Sequence, residues 1–167
     1  LDLIRDSDTA SPAVVRLTAQ LALMHPELIL PDVCAVLASP VLSQRENARA
    51  ILASVSELAD LGRLLGRERS ERLLDTLMLQ LFADENQRVV SLVAALDLSI
   101  VLPRLTGILA APLSARPLAT APLEATIEEA MLVALSHSAD PAVAIGAVID
   151  TLRDSSSTHA PGGVAAG

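Results

Sequence analysis

The chain has 167 residues, 51% of them apolar, and a formal net charge of −8. That length and apolar fraction exclude a disordered chain and leave room for one packed domain or a short array of repeats. The acidic balance disfavours a nucleic-acid sheath, which needs a basic excess, and docking on anionic membranes.

Phe82 is the one aromatic residue; Trp and Tyr are absent. A core without rings must be built from Leu, Val, Ile and Ala. Ala and Leu are strong helix formers, whereas β-rich domains draw on aromatics and Thr, so an all-α fold is expected. All twelve basic residues are Arg, a bias that codon composition explains better than function. The single cysteine, Cys34, rules out an internal disulfide and a multi-cysteine zinc site. It also fits a reducing, cytoplasmic setting. No signal-peptide pattern opens the chain. The longest charge-free run, between Arg104 and Arg116, contains Pro112 and is too short to cross a bilayer.

The chain opens at Leu1, and "LDLIRDSD" reads as the last turns of a helix. It is therefore expected to be part of a longer protein, with an apolar flank exposed on its first helical pair. "SPAVVRLTAQLALMH" follows, with Val15, Ala19, Ala22 and Leu23 on one helical stripe. Ser11 can cap this helix and Pro12 can take its first position, where a missing N–H costs nothing. Pro26 stops it. Pro31 is expected to open a second helix carrying Val33, Val36 and Leu37 inward, limited by Pro40.

A middle unit offers the stripe Ala48, Ile51, Leu52, Val55 and Leu58, then "GRLLGRERS" as a connection, then Leu73, Leu74, Leu77 and Leu81. "VAALDLSIVLPRL" then repeats the opening stretch at a shift of 72 residues. Arg16, Ala22, Leu30, Pro31, Leu37, Ala38 and Pro40 meet Arg88, Ala94, Leu102, Pro103, Leu109, Ala110 and Pro112. These identities fall on the corner and the stripe, and a shift of 72 leaves space for one intervening pair. "APLSARPLATAP" reads as an extended connection. A fourth pair follows, "PLEATIEEAMLVALSHS" and "DPAVAIGAVIDTLRD", the second opened by Asp140 and Pro141. "SSSTHAPGGVAAG" is a low-complexity tail.

"SPAVVRLTA" with "LILPDV", and "ADENQRVVS" with "IVLPRL", resemble HEAT repeats of the HEAT and armadillo superfamily. That pattern places a proline or acidic residue at the start of its first helix, then an apolar–Arg pair, then "LP" opening the second helix. The resemblance covers residues 1–154 and implies an α-solenoid of about four antiparallel helix pairs, near 9–40, 41–82, 83–112 and 121–154, with 155–167 a disordered tail. About eight helices and no strands are expected. Microtubule-binding TOG domains are HEAT arrays that present Trp and Lys to tubulin. Neither residue exists here, so that function is not implied.

Candidate chemistry is sparse. His25 and His137 fall at expected helix ends, where a cation meets the negative end of the dipole; His159 lies in the tail. No histidine has another three or four residues away. Cys34 sits on an apolar helix, where a thiol packs rather than reacts. "PGGV" follows no strand and opens no helix, so it is no phosphate loop. Glu128 and Glu129 are adjacent in a helix and point about 100° apart, a poor carboxylate pair. No catalytic residue, metal site or cofactor is assigned.

The remaining local feature is "RLLGRERSER", which gathers Arg63, Arg67, Arg69 and Arg72 with Glu68 and Glu71. It reads either as a contact patch for an acidic protein surface or as a solvated turn with local ion pairs of little energy. No aromatic residues interleave it, so nucleic acid is the weaker partner. The expected function is a non-catalytic scaffold or protein-binding segment of a larger assembly, with no membrane role. The alternatives are a helical regulatory domain or fragment of a larger enzyme, and a spacer of fixed curvature.

Overall fold

The structure is a computed structural model that describes residues 10–83, 87–110 and 121–136, and, beyond these, residues 140, 142, 143, 145, 146, 148–150 and 153. Among them every regular element is helical and no strand occurs. The elements are α1 (Pro12–Met24), α2 (Pro26–Leu37), α3 (Leu42–Leu58), α4 (Leu61–Leu65), α5 (Arg67–Ala83), α6 (Gln87–Ala94), α7 (Leu98–Ala110) and α8 (Ala121–Ser136). Further helical residues lie between 142 and 153.

The first corner follows from its caps. Ser11 accepts the Val14 amide through its hydroxyl, and Pro12 begins α1. His25 closes α1 by donating its backbone N–H to the Leu21 carbonyl, and its own carbonyl accepts from Leu28 and Ile29. His25 therefore stands at the negative end of α1 and the positive end of α2 at once, rather than at a C-terminus alone.

The second helix opens at Pro26 and not at Pro31, which lies inside it; Pro103 likewise lies inside α7. Pro26 is the better start because a first-position proline forfeits no bond, and Glu27 adds an acidic group to the first turn. An interior proline costs on the order of 3 kcal/mol. Fully buried Leu30, Val33 and Leu37 flank Pro31 and hold the helix through it, each worth about 1.5–3 kcal/mol.

"GRLLGRERS" is also more ordered than a connection. Asp60 caps α4 by accepting the Arg63 amide at 2.9 Å, and α5 starts at Arg67. The break between them is Gly66, whose φ of 73° and ψ of 168° are open almost only to glycine. At Gly62 an added Cβ would come within 2.8 Å of the Asp97 nitrogen, so α4 rests directly on the corner between α6 and α7.

One continuous cluster of Leu, Val, Ile and Ala with Met78 runs from Ala19 and Ala22 in α1 to Ile127 and Ala130 in α8. Ala48, Ile51, Leu52 and Val55 are buried as expected, but Leu58, at the last turn of α3, is 66% exposed. Leu73, Leu74, Leu77 and Leu81 of α5 are buried. Helices α1, α3, α6 and α8 contact one another in succession, and α2 with α4 and α5 with α7 make contacts alongside them. Helix α5 also touches α8, a contact that skips a pair. Asp140 accepts from the Ala142 and Val143 amides, a cap for the helical residues that follow. The expected extended connection at 111–120, the tail and both remaining histidines, His137 and His159, lie outside the described residues; α8 takes in Ala121 and Pro122.

Candidate interaction surface

The arginine cluster lies on α4 and the first turns of α5. Arg63, Arg67, Arg69 and Arg72 are all exposed. Two of them are neutralised along the helix: Arg67 donates to Glu71 at 3.0 Å and Arg72 to Glu68 at 2.6 Å. Both are exposed pairs four residues apart. Asp75 is taken by Arg104 of α7 at 2.7 Å, which bridges neighbouring helices and relieves the repulsion between Glu71 and Asp75. Arg63 and Arg69 make no ion pair among the described residues.

Beside the cluster, α5 and α7 enclose an open groove of about 410 Å³. Leu74, Ile100 and Pro103 form its apolar floor; Arg67, Glu71, Asp75 and Arg104 form its rim. Arg104 escaped the sequence reading, because nothing local marks a residue that joins the cluster only when α7 packs against α5.

Arg69 also projects towards α2, where its charge acts on Cys34. Burial pushes that thiol up to about 11, and Arg69 offsets the effect only in part. The thiol therefore stays protonated at neutral pH, the state expected of a packing group. Glu128 and Glu129 are exposed on α8. Among the described residues no group of three His, Cys, Asp or Glu side chains is arranged to hold a metal ion.

A second polar feature is buried. Arg49 of α3, 1% exposed, donates through Nε to Gln80 Oε1 at 3.0 Å and through a terminal nitrogen to Glu46 at 2.7 Å. Gln80 of α5 donates in turn to the Leu37 carbonyl at 2.6 Å, satisfying the last turn of α2. Glu46 also faces Arg88 of α6 at 3.6 Å. Asn47 accepts the Ala10 amide at 2.8 Å and fixes the approach to α1. Around Glu46 and Arg88 lies a second open groove, of about 580 Å³, bounded by Arg16 on α1 and floored by Ala50 and Ser54. The clue to this network was that Asn47 and Arg49 flank Ala48 on the buried stripe, but an arginine beside a stripe is ordinarily solvated.

No helix among the described residues is long and apolar enough to cross a membrane. No protein-family model, curated protein or solved structure compared with the chain matches it.

Proposed function

We propose that the chain is a non-catalytic, HEAT-like α-solenoid segment that binds other proteins, and that the arginine cluster on α4 and the start of α5, beside the groove between α5 and α7, receives an acidic one. The solenoid reading is supported by the succession of contacts α1–α3–α6–α8 with a second row beside it, as expected when each pair stacks on its neighbours. In this reading the contact of α5 with α8 is where the two rows meet. The carrying observation for the binding surface is that Arg63 and Arg69 stay exposed, with no ion pair among the described residues, in a chain of net charge −8. An acidic peptide laid across α4 and the first turn of α5 would complete them. A cytoplasmic setting belongs to the same reading and rests on the lone Cys34.

The local pairs Arg67–Glu71 and Arg72–Glu68 favour a second reading, a solvated cluster with no partner. Exposed pairs of this kind are worth about 0.3–0.5 kcal/mol each, so neither reading depends on them for stability. The test is fluorescence anisotropy with a labelled glutamate-rich peptide across a salt series. The natural chain should bind with an affinity that falls as salt rises. Arg63→Glu with Arg69→Glu should abolish binding and leave the melting temperature unchanged. Equal binding by that variant would return the cluster to a solvated turn.

A further inference from the structure

The 72-residue register allows the first helical pair to be compared with the third, position by position. Ala22 and Ala94, Leu30 and Leu102, and Val33 and Leu105 are buried in both; Arg16 and Arg88, His25 and Asp97, and Glu27 and Ser99 are exposed in both. The differences concentrate on one side. Leu17, Leu21, Met24 and Leu28 are 59, 37, 62 and 66% exposed, whereas their counterparts Val89, Val93, Leu96 and Ile100 are 0, 0, 4 and 8% exposed. Position 20 differs in chemistry as well as burial, since exposed Gln20 stands where Leu92 is buried. Ala19 and Ser91 run the other way, and Val36 and Leu37 are somewhat more buried than Ile108 and Leu109.

The residues that change share a face. Positions 17, 21, 24 and 28 follow helical spacing down α1 and across the corner, on the side away from Ala19 and Ala22. Gln20 lies on the same side, one turn from Leu17 and from Met24, and makes that face less apolar than its counterpart on α6. In the third pair the equivalent side is covered by the preceding hairpin: α3 and α5 pack on α6, α5 packs on α7, and α4 meets the Leu96–Asp97 corner at Gly62. Aliphatic side chains at four matched positions are thus buried where a hairpin precedes them and open where α1 and α2 present them.

We infer that the outer flank of α1 and α2 is an open stacking face, and that its occupant is an aliphatic helical hairpin of the kind formed by Leu42–Ala83. The inference rests on the repeat-array reading but not on the arginine cluster. The stripe carries no charge, and Gln20 adds only a neutral amide, which suits a packed helix pair better than a charged peptide.

The test uses single thiols in a Cys34→Ala background. Leu21→Cys in the natural chain should react with a maleimide at close to the rate of a small thiol, while Val93→Cys should be slower by on the order of a hundredfold. In an extended chain, a second copy of residues 37–81 replaces residues 1–9, so that residue 81 of the copy meets Ala10 in the native register. There Leu21→Cys should become as protected as Val93→Cys, and the melting temperature should rise by more than about 4 °C. A slow Leu21→Cys in the natural chain overturns the proposal whether or not the extended chain folds, because the face is then already covered. Protected Val93→Cys beside a still reactive Leu21→Cys in a folded extended chain overturns the proposal alone. A fast Val93→Cys would instead defeat the stacking of the middle pairs, and the array reading with it.

Discussion

Arg49 is the residue on which the polar interior turns. It brings a full charge into a largely aliphatic core, and Gln80, which accepts from it, donates in turn to the Leu37 carbonyl. Leaving a buried donor or acceptor without a partner costs about 1–3 kcal/mol, whereas removing both partners costs less than the sum. Gln80→Leu should therefore lower the unfolding free energy in urea by about 1–3 kcal/mol, and Arg49→Met with Gln80→Leu should fall short of additivity by at least about 0.5 kcal/mol. Additive losses would show that the two side chains do not act together. Thr106, the repeat counterpart of Cys34, also buries a polar atom, a hydroxyl with no partner among the described residues. Of this, only the place of Asn47 and Arg49 beside the buried stripe was legible in sequence. Arg49 and Gln80 are 31 positions apart, and only the fold that brings α5 beside α3 makes one the partner of the other. Arg63, Arg67, Arg69 and Arg72 were legible as a cluster, because a local run of one charge needs no tertiary contact to be noticed.

At the scale of elements, the glycines separate three distinct effects. Gly62 lies against backbone, 2.8 Å from the Asp97 nitrogen to an added Cβ, so Gly62→Ala must displace α4 from the next corner. The expected loss is about 1–3 kcal/mol. Gly66 has open space but a positive φ, and Gly66→Ala should cost about 1–3 kcal/mol from backbone strain alone. Gly107 is exposed inside α7 with nothing near its Cβ position, so Gly107→Ala should stabilise by about 0.5–1 kcal/mol. Urea titration of the three variants checks all three signs. Helix stripes and caps were readable from the sequence because 3.6-residue spacing and capping side chains are local signals, as at Ser11, Pro12 and Pro26. The starts of α2 and α7 were misplaced because Pro31 and Pro103 look like helix openers. Only burial of their neighbours, Leu30 and Leu102 among them, shows that tertiary packing overrides the proline.

For the molecule as a whole, the proposed solenoid would make position in the stack set local stability. Helices α3, α5 and α6 pack against others on several sides, whereas α1 has a bare flank. Opening free energies in such an array rise towards its middle. Native-state hydrogen exchange should find the slowest amides in α3, α5 and α6, with α1 exchanging through smaller openings. Equal protection throughout would instead mark one cooperative unit. This gradient could not be read from hydropathy, since Leu17 and Leu21 are as apolar as the buried Val89 and Val93. What distinguishes them is which neighbour is present, and a stripe on one helix carries no record of that.

The matched corners also bear on how a gene for such a chain can change length. "LILP" and "IVLP" occupy equivalent places in α2 and α7, with Leu30 and Leu102 both fully buried just ahead of Pro31 and Pro103. Unequal recombination between these two stretches would join Leu30 to Pro103 and excise residues 31–102, a whole number of hairpins. The junction would still present a leucine, an interior proline and an inward aliphatic residue in unchanged register. On the proposed solenoid reading, loss or gain of coding sequence at this point would add or remove complete layers and spare the helix in which the break occurs.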